Sequence, residues 1–282
     1  MKVDTFPIYS LPRAETKGVT AYIPLESDTL FEVDGSGVQL FYYHEQGPYY
    51  HPVMMLNRIN RLLNGFTMTS DSAYLNLAVV TFDRLIEEAT DSLGAVWLTY
   101  RFDHYITGED TVFAPFYSGM AQGLGLSVSA YLYEVTSDSV YLERAESLFR
   151  TLEALWGESE PWVVRLDSLG YYWIEEYPLP KPDMTLNGSI IATYGLYDYW
   201  RHTGSERALE LLRAAFATYA HYASLYRRPG ETSYYCLGYK KITNISYHRL
   251  HIALFRYLSK VSANPYFAAF ADTLKMDAWD ES

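Results

Sequence analysis

The stretch Thr69-Ser70-Asp71-Ser72-Ala73-Tyr74-Leu75 has a near-copy, Thr136-Ser137-Asp138-Ser139-Val140-Tyr141-Leu142, that begins 67 residues later, at position 136 instead of 69. A looser copy follows after the same interval at Thr203-Gly204-Ser205, and a weaker fourth is Ser262-Ala263-Asn264. Ser, Asp and Asn cap helix N-termini, so each copy is predicted to be the turn between two helices. A repeat of this kind indicates a series of helical hairpins.

An apolar segment precedes every copy, and these segments span 54–63, 120–133, 190–200 and 250–257. The segments after the first three copies are more amphipathic, as in Leu142, Ala145, Leu148 and Leu152, which follow helical spacing. Apolar helices paired with amphipathic ones form an inner and an outer layer. The predicted fold is therefore mainly α, an incomplete α/α toroid of helical hairpins.

The first 45 residues differ from the rest. The runs 19–24 and 38–43 are rich in β-prone residues, and Asp34-Gly35-Ser36-Gly37 between them is a turn signal. We predict two parts, a short β-rich arm over 1–45 and the toroid over 46–282.

Composition narrows the classes of function. The net charge of −12 disfavours binding to nucleic acid or to an anionic membrane, since both need a basic surface. No run resembles a signal peptide or approaches the ~18 apolar residues of a membrane span, so a cytoplasmic location is the default expectation. Cys236 is the sole cysteine, which excludes an intrachain disulfide. The 28 tyrosines and 6 tryptophans provide flat apolar faces with polar tips, which suit sugar rings.

Several motifs fall just before or at the start of the inner helices. They are His51-Pro52-Val53, Ser118-Gly119-Met120-Ala121-Gln122-Gly123, Leu186-Asn187-Gly188 and Tyr247-His248-Arg249-Leu250-His251. The aromatic loop Trp173-Ile174-Glu175-Glu176-Tyr177-Pro178-Leu179-Pro180 leads into one of them, and its prolines prevent a continuous helix. These segments are expected to meet at one mouth of the toroid, where helix N-termini favour a carboxylate ligand.

Taken in order, the motifs around Ser118, Glu176, Asn187, Gly195 and Tyr247 resemble the C-terminal catalytic domain of the D-glucuronyl C5-epimerases. The resemblance runs from about residue 46 to the end. It implies an α/α toroid, a homodimer, and a reaction that inverts C5 of a uronic acid within a polysaccharide. The expected partner is thus a uronic-acid-containing glycan, and we predict no cofactor and no metal.

The resemblance also implies three catalytic tyrosines. They fall on Tyr177, which follows Glu176, and on Tyr235 and Tyr247. A shift of one residue in the matching would replace Tyr235 with Tyr234.

One position departs from the family. Where the family has Tyr-Asp-Leu-Arg, this chain has Tyr235-Cys236-Leu237-Gly238, so the arginine is absent. Two explanations stay open: Lys240 or Lys241 supplies the cation, or the substrate differs.

Inversion at C5 needs a proton carrier on each face of the ring and a group that holds the carboxylate. Tyrosine has an ordinary pKa of ~10, so we interpret Glu176 beside Tyr177 as a proton relay. We hypothesise that Tyr177 and Tyr247 face the sugar from opposite sides. Tyr235 and Asn187 would hold the carboxylate or a ring hydroxyl.

Further side chains are predicted to bind the substrate, and each has an alternative role. The set is Asn187, Gln122, Asp103, His51, His248 and Lys240. Gln122 and Asn187 are alternatively helix caps, and Asp103 alternatively pairs with an arginine. His248 and His251, three residues apart, favour hydrogen bonding at the helix mouth over a metal site.

Three other functions remain open. A polysaccharide lyase would abstract the same C5 proton and then expel the C4 substituent. A non-catalytic relative would bind glycan without exchanging hydrogen with solvent. A glycosidase would need two separated acids, for which Asp103 and Glu176 are the candidates.

Overall fold

The computed structural model of the chain describes residues 1–17, 22, 24, 25, 32–43, 46–107 and 110–279. Within these ranges a short helix precedes four helical hairpins. The helices are α1 (Arg13–Lys17), then the pairs α2 (Pro52–Thr69) with α3 (Ser72–Glu87), α4 (Gly119–Thr136) with α5 (Val140–Phe149), α6 (Leu186–Thr203) with α7 (Glu206–Tyr226), and α8 (Ile245–Val261) with α9 (Pro265–Asp277). The predicted fold class, an incomplete α/α toroid of helical hairpins, is confirmed.

The first helix of each hairpin lies on the inside of the arc. Helix α4 packs against α2 and α6, and α6 also packs against α8. Helix α4 is buried without interruption from Gly119 to Leu132, whereas α3 buries a single stripe that includes Tyr74, Ala78 and Phe82. A helix that is apolar all round belongs in an inner layer, and an amphipathic one belongs in an outer layer. No helix in the described ranges is long and apolar enough to cross a membrane.

A threonine hydroxyl joins the two helices at each of the three clearest repeat turns. Thr69 donates to the carbonyl of Gly65 at 2.7 Å and accepts the amide of Asp71 at 3.2 Å. Thr136 and Thr203 make the same pair of bonds. The residue after each threonine has a left-handed backbone, at Ser70, Ser137 and Gly204. The repeated sequence therefore ends one helix and begins the next through the same local bonds.

Helices α4 and α6 cross with their backbones in contact. A Cβ added at Gly123 would lie 2.3 Å from the carbonyl oxygen of Ala192, and one added at Gly195 would lie 2.2 Å from the carbonyl oxygen of Gly123. Only residues without a side chain permit this approach, which brings the first turns of α4 and α6 to the same end of the toroid.

The N-terminal segment packs into the toroid through Arg13. Its guanidinium pairs with buried Asp198 at 2.7 Å and donates to the carbonyl of Ser127 at 3.2 Å. It also lies 4.0 Å from the ring centroid of Tyr131. Arg13 thereby ties the segment before the toroid to both α4 and α6.

The strands are short antiparallel pairs. They are β1 (Phe41–Tyr43) with β2 (Gln46–Tyr49), β3 (Thr90–Ser92) with β4 (Ala95–Trp97), β5 (Thr99–Tyr100) with β8 (Phe116–Tyr117), β6 (His104–Thr107) with β7 (Asp110–Val112), and β9 (Val164–Leu166) with β10 (Tyr172–Ile174). All but the first pair lie in the connections between hairpins.

The N-terminal arm is only partly described. The turn predicted at Asp34 forms, because Asp34 Oδ1 accepts the amides of Ser36 at 2.8 Å and Val38 at 3.0 Å. The predicted β-prone run over 19–24 lies mostly outside the described residues. The β1–β2 pair straddles the proposed boundary at residue 45, which stays a prediction.

Candidate active site

The N-terminal ends of the inner helices surround a cavity of about 920 Å³. All four inner helices, or the residues just before them, contribute to its wall, through His51, Met54, Ser118, Met120, Asn187, Ile191, Tyr247 and Leu250. A second cavity of about 380 Å³ adjoins it and shares His104, Tyr177, Tyr235 and Tyr247. A concave site that combines aromatic side chains with a few polar groups is the usual form of a small-molecule or sugar site.

Arg165 holds the loop that carries Tyr177. Its Nε lies 3.0 Å from Oε1 of Glu175, and both side chains are buried. The same guanidinium donates to the carbonyl of Leu179. Glu175 also accepts the amide of Met184 at 3.1 Å. Glu175 lies two residues before Tyr177 and Leu179 lies two residues after it, so this arginine anchors both ends of the loop that carries Tyr177.

The carboxyl group of Glu176 rests on the first turn of α6. A Cβ added at Gly188 would lie 2.1 Å from Oε2 of Glu176, so the space above Gly188 is already filled by this carboxyl group. Burial, reinforced by the charge of Asp183, raises the pKa of Glu176 to about 7, although hydrogen bonds from Tyr177 and Tyr235 act in the opposite direction. Glu176 can therefore gain or lose a proton near neutral pH.

The three tyrosines predicted to be catalytic lie together around Glu176. The hydroxyl of Tyr235 donates to Glu176 Oε2 at 3.4 Å. The rings of Tyr235 and Tyr247 meet edge to face, with centroids 5.5 Å apart and planes at 88°. The ring of Tyr177 stacks on His104 at 4.8 Å and 7°. Tyr235, rather than its neighbour Tyr234, lines the cavity.

Two of these tyrosines stay protonated at neutral pH. Burial, followed by the negative charge of Glu176, raises the pKa of Tyr177 and of Tyr235 well above the ordinary value. In the resting site they are hydrogen-bond donors, and Glu176 is the group beside them with a pKa near 7.

The nearby cation is Lys241, not Lys240. Both lysines are exposed, but Lys240 lines neither cavity, and its predicted contact with substrate stays a prediction. Lys241 lines the smaller cavity, its Nζ lies 5.4 Å from the ring centroid of Tyr235, and its charge lowers the pKa of Glu176. At Gly238, where the family has arginine, an added Cβ would lie 2.2 Å from the carbonyl oxygen of Pro182. An arginine there would need a different local backbone.

His51 and Asn187 both line the large cavity, as predicted for substrate-binding residues. His51 caps α2 by accepting the amide of Met54 at 3.4 Å, and burial lowers the pKa of its imidazole to about 4. It is therefore neutral at pH 7. Asn187 is 4% exposed, and its Oδ1 has no hydrogen-bond partner among the described residues. An unpartnered buried acceptor at a cavity wall is suited to a ligand hydroxyl.

Three other predicted substrate-binding residues lie outside both cavities and instead hold backbone segments in place. Gln122 bonds both the amide and the carbonyl of Leu98 at 3.2 Å, and Asp103 accepts the amide of Ala114 at 2.9 Å. His248 accepts the amide of Ser233 at 3.0 Å, and its Nε2 lies 2.9 Å from the carbonyl of Leu274. Gln122 and His248 face away from the cavity because both side chains are buried against backbone groups of neighbouring segments. Among the described residues no cluster of three or more His, Cys, Asp or Glu could hold a metal ion.

Helix α2 carries a polar stripe that was not among the predicted site residues. Asn57, Asn60, Arg61 and Asn64 all line the large cavity. Their positions follow the i, i+3, i+4, i+7 spacing of one helical face, and the first three fall within the segment 54–63 that is predicted to be apolar. That spacing is the signal that reveals the stripe in the sequence. His104, which stacks on Tyr177, was also missed.

The chain was compared with known protein families. The model described as "D-glucuronyl C5-epimerase C-terminus" matches residues 90–276, a segment that contains Glu176 and the three tyrosines. The chain belongs to this family. Helix α2, with His51 at its start, lies before the matched segment.

Individual relatives agree with this family and with the fold. The "D-glucuronyl C5-epimerase" of Caenorhabditis elegans is 25% identical over 173 residues, which cover 55% of this chain and 28% of that protein. The cellobiose 2-epimerase of Spirochaeta thermophila has a TM-score of 0.61 at 16% identity, covering 89% of this chain and 65% of that one. The cellobiose 2-epimerase of Bacillus thermoamylovorans has a TM-score of 0.59 at 12% identity, covering 94% and 70%. At these identities the two structures show the shared fold alone.

Proposed function

We propose that this chain is a carbohydrate epimerase that inverts C5 of D-glucuronosyl residues in a glycan to give L-iduronosyl residues. One observation carries the proposal: Glu176, with a pKa raised to about 7, lies within hydrogen-bond reach of Tyr235 in a cavity that Tyr177 and Tyr247 also line. Membership of the D-glucuronyl C5-epimerase C-terminus family supports the same chemistry.

The first half of the reaction removes the C5 proton. Tyr177, which is hydrogen-bonded to Glu176, transfers its phenolic proton to that carboxylate and accepts the C5 proton on the oxygen so freed. The electron pair of the broken C–H bond moves into the uronate carboxyl group and forms an enediolate. Lys241 and the N-termini of α6 and α8 stabilise the added negative charge.

The second half returns a proton to the other face. Tyr247 donates its phenolic proton to C5, which inverts the centre and leaves a phenolate. Tyr235 is bonded to Glu176 and touches the ring of Tyr247, so its hydroxyl can carry the proton held by Glu176 back to that phenolate. The starting state is restored, and no cofactor enters the cycle. Asn187 holds a ring hydroxyl through its unpartnered Oδ1.

The test is proton NMR of heparosan and other uronate glycans incubated with the protein in D₂O. Deuterium at C5 together with iduronate signals is the expected result. Tyr177→Phe should lower both by about a hundredfold to ten-thousandfold, the usual range for loss of a general acid or base. Tyr247→Phe should slow iduronate formation more than it slows deuterium uptake into glucuronate. Tyr9→Phe, an exposed tyrosine outside both cavities, is the matched control.

Two results would refute the proposal. Normal exchange in Tyr177→Phe would show that another residue removes the C5 proton. Glycan binding by the wild-type protein, without exchange on any substrate of the panel, would instead indicate a non-catalytic glycan-binding relative.

A uronate lyase is the second candidate, because it begins with the same proton abstraction. It then needs an acid that protonates the departing C4 oxygen. Tyr235, which burial keeps protonated beside Glu176, suits that step. An unsaturated uronate, detected by its ultraviolet absorbance, would identify the lyase, whereas iduronate without such absorbance would exclude it.

A further inference from the structure

The large cavity continues from the tyrosines along the polar stripe of α2. We call this part of the cavity the deep arm. Asn57, Asn60, Arg61 and Asn64 form this face of the wall. Arg61 is nine residues beyond Pro52, the start of α2, which at about 1.5 Å per residue places it about 13 Å along the helix. Tyr247, by contrast, lies in the first turn of its helix. The stripe therefore extends along α2 well beyond the end of the toroid at which the reacting sugar would bind.

The charges in the deep arm favour an anion. Arg13 and Arg61 line the cavity, and Glu176 at the mouth is the acidic residue of its wall. Arg13 is already paired with Asp198. In the part of the chain that the structure describes, no ion pair involves Arg61. A guanidinium in a concave site without an ion pair among the described residues is unusual for a chain with a net charge of −12. The planar fork of this group matches carboxylate and sulfate groups.

We propose that the deep arm is a second subsite, which binds an acidic group on a sugar other than the one that reacts. The inference rests on the proposed function, because it assumes that the reacting uronate lies between the tyrosines. Arg61 pairs with the carboxylate or sulfate of the second sugar. The amides of Asn57 and Asn60, each with donors and an acceptor, bond its hydroxyls, whereas Oδ1 of Asn64 already accepts the hydroxyl of Tyr131 at 3.2 Å. The protein would therefore select chains that carry a negative charge beyond the reacting residue.

Binding can be measured without turnover in a Tyr177→Phe background by isothermal titration calorimetry. The probes are methyl glucuronide, a heparosan hexasaccharide and its N-sulfated form. Arg61→Met should weaken hexasaccharide binding by about tenfold to hundredfold, the value of one or two charge-assisted hydrogen bonds, and leave methyl glucuronide unaffected. Arg150→Met, an exposed arginine at the end of an outer helix, is the matched control and should change neither.

A second variant tests the subsite independently, in case Arg61→Met does not fold. Asn60→Asp places a carboxylate beside Arg61 and should cause the same selective loss. A larger loss for the N-sulfated hexasaccharide would identify sulfate as the bound group, and equal losses for the two hexasaccharides would identify carboxylate.

Three results would overturn the subsite. The first is an equal loss of affinity for methyl glucuronide, which would place the reacting uronate on Arg61. The others are unchanged hexasaccharide binding in Arg61→Met and no binding of any probe. The C5 exchange of the otherwise wild-type protein is measured separately. If exchange occurs but binding does not depend on Arg61, the epimerase proposal stands and the subsite proposal fails. If binding depends selectively on Arg61 but no exchange occurs, the subsite proposal stands and the epimerase proposal fails.

Discussion

Adding one methyl group at Gly188 tests whether Glu176 must occupy its observed position. The new Cβ would lie 2.1 Å from Oε2 and 2.6 Å from Cδ of Glu176. Since ordinary nonbonded contacts are about 3.5 Å, the carboxyl group must move by about 1 Å or more. A shift of that size removes it from hydrogen-bond reach of Tyr235, whose hydroxyl is already 3.4 Å away.

We expect Gly188→Ala to lower C5 exchange by about a hundredfold to ten-thousandfold, as for the loss of a general base. Stability should change much less, because alanine is favoured over glycine inside a helix by about 0.5–1 kcal/mol and this gain offsets part of the strain. Deuterium uptake by NMR measures the first effect, and urea unfolding measures the second.

The double variant Gly188→Ala with Glu176→Gln tests whether the added methyl group acts through the Glu176 carboxylate. If the methyl group acts only through the carboxylate, it should cause little further loss in the Glu176→Gln background. Normal exchange in Gly188→Ala, or the same proportional loss in both backgrounds, would show that the methyl group does not act by displacing the Glu176 carboxyl group.

The charges of the site lead to four further expected outcomes. Exchange should rise with pH through about pH 7 as Glu176 loses its proton, and Glu176→Gln should abolish that rise. The free energy of unfolding depends on pH with the opposite sign. Burial raises the pKa from 4.5 to about 7, so the folded state binds more protons, and about 3 kcal/mol of unfolding free energy is lost as the pH rises between these values. Urea titrations of Glu176→Gln should lack this share of the pH dependence. Lys241→Met should slow exchange because Lys241 favours the ionised form of Glu176, whereas Lys240→Met should match the wild type, and equal rates in the two variants would contradict this role. Arg165→Met should lower the free energy of unfolding by about 3–5 kcal/mol, because Glu175 would stay buried without its partner. Adding Glu175→Gln should recover part of that loss, and no recovery would show that the ion pair is not the cause.

The helical hairpins were predictable because their determinants are local. The bonds that Thr69 makes reach only from Gly65 to Asp71, and the same short pattern recurs at Thr136 and Thr203. A motif of a few residues thus contains the information for ending one helix and starting the next. Burial on all sides of α4 was likewise readable from its apolar composition.

The site was predictable in part. Glu176, Tyr177, Asn187, Tyr235 and Tyr247 are brought to one cavity, as their positions in the motifs suggested. Their roles stay predictions until exchange is measured.

Other site features depended on contacts between distant segments. Whether Lys240 or Lys241 faces Tyr235 depends on the path of one loop, which neighbouring backbone segments constrain. Gln122 lies in a motif that was predicted to form the mouth of the toroid, yet its side chain bonds the backbone of Leu98.

The order of the helices, the turns between them and the segments that begin the inner helices can be read from the residues alone. These follow from capping bonds and hydrophobic periodicity, which act over a few residues. The chemistry of the site, by contrast, depends on the packing of distant segments. The raised pKa of Glu176 comes from its burial, which includes the contact with Gly188 in α6, and Arg61 faces the cavity only because α2 forms part of its wall. Desolvation and ion pairing depend on which distant segments pack together, so local sequence patterns did not reveal them.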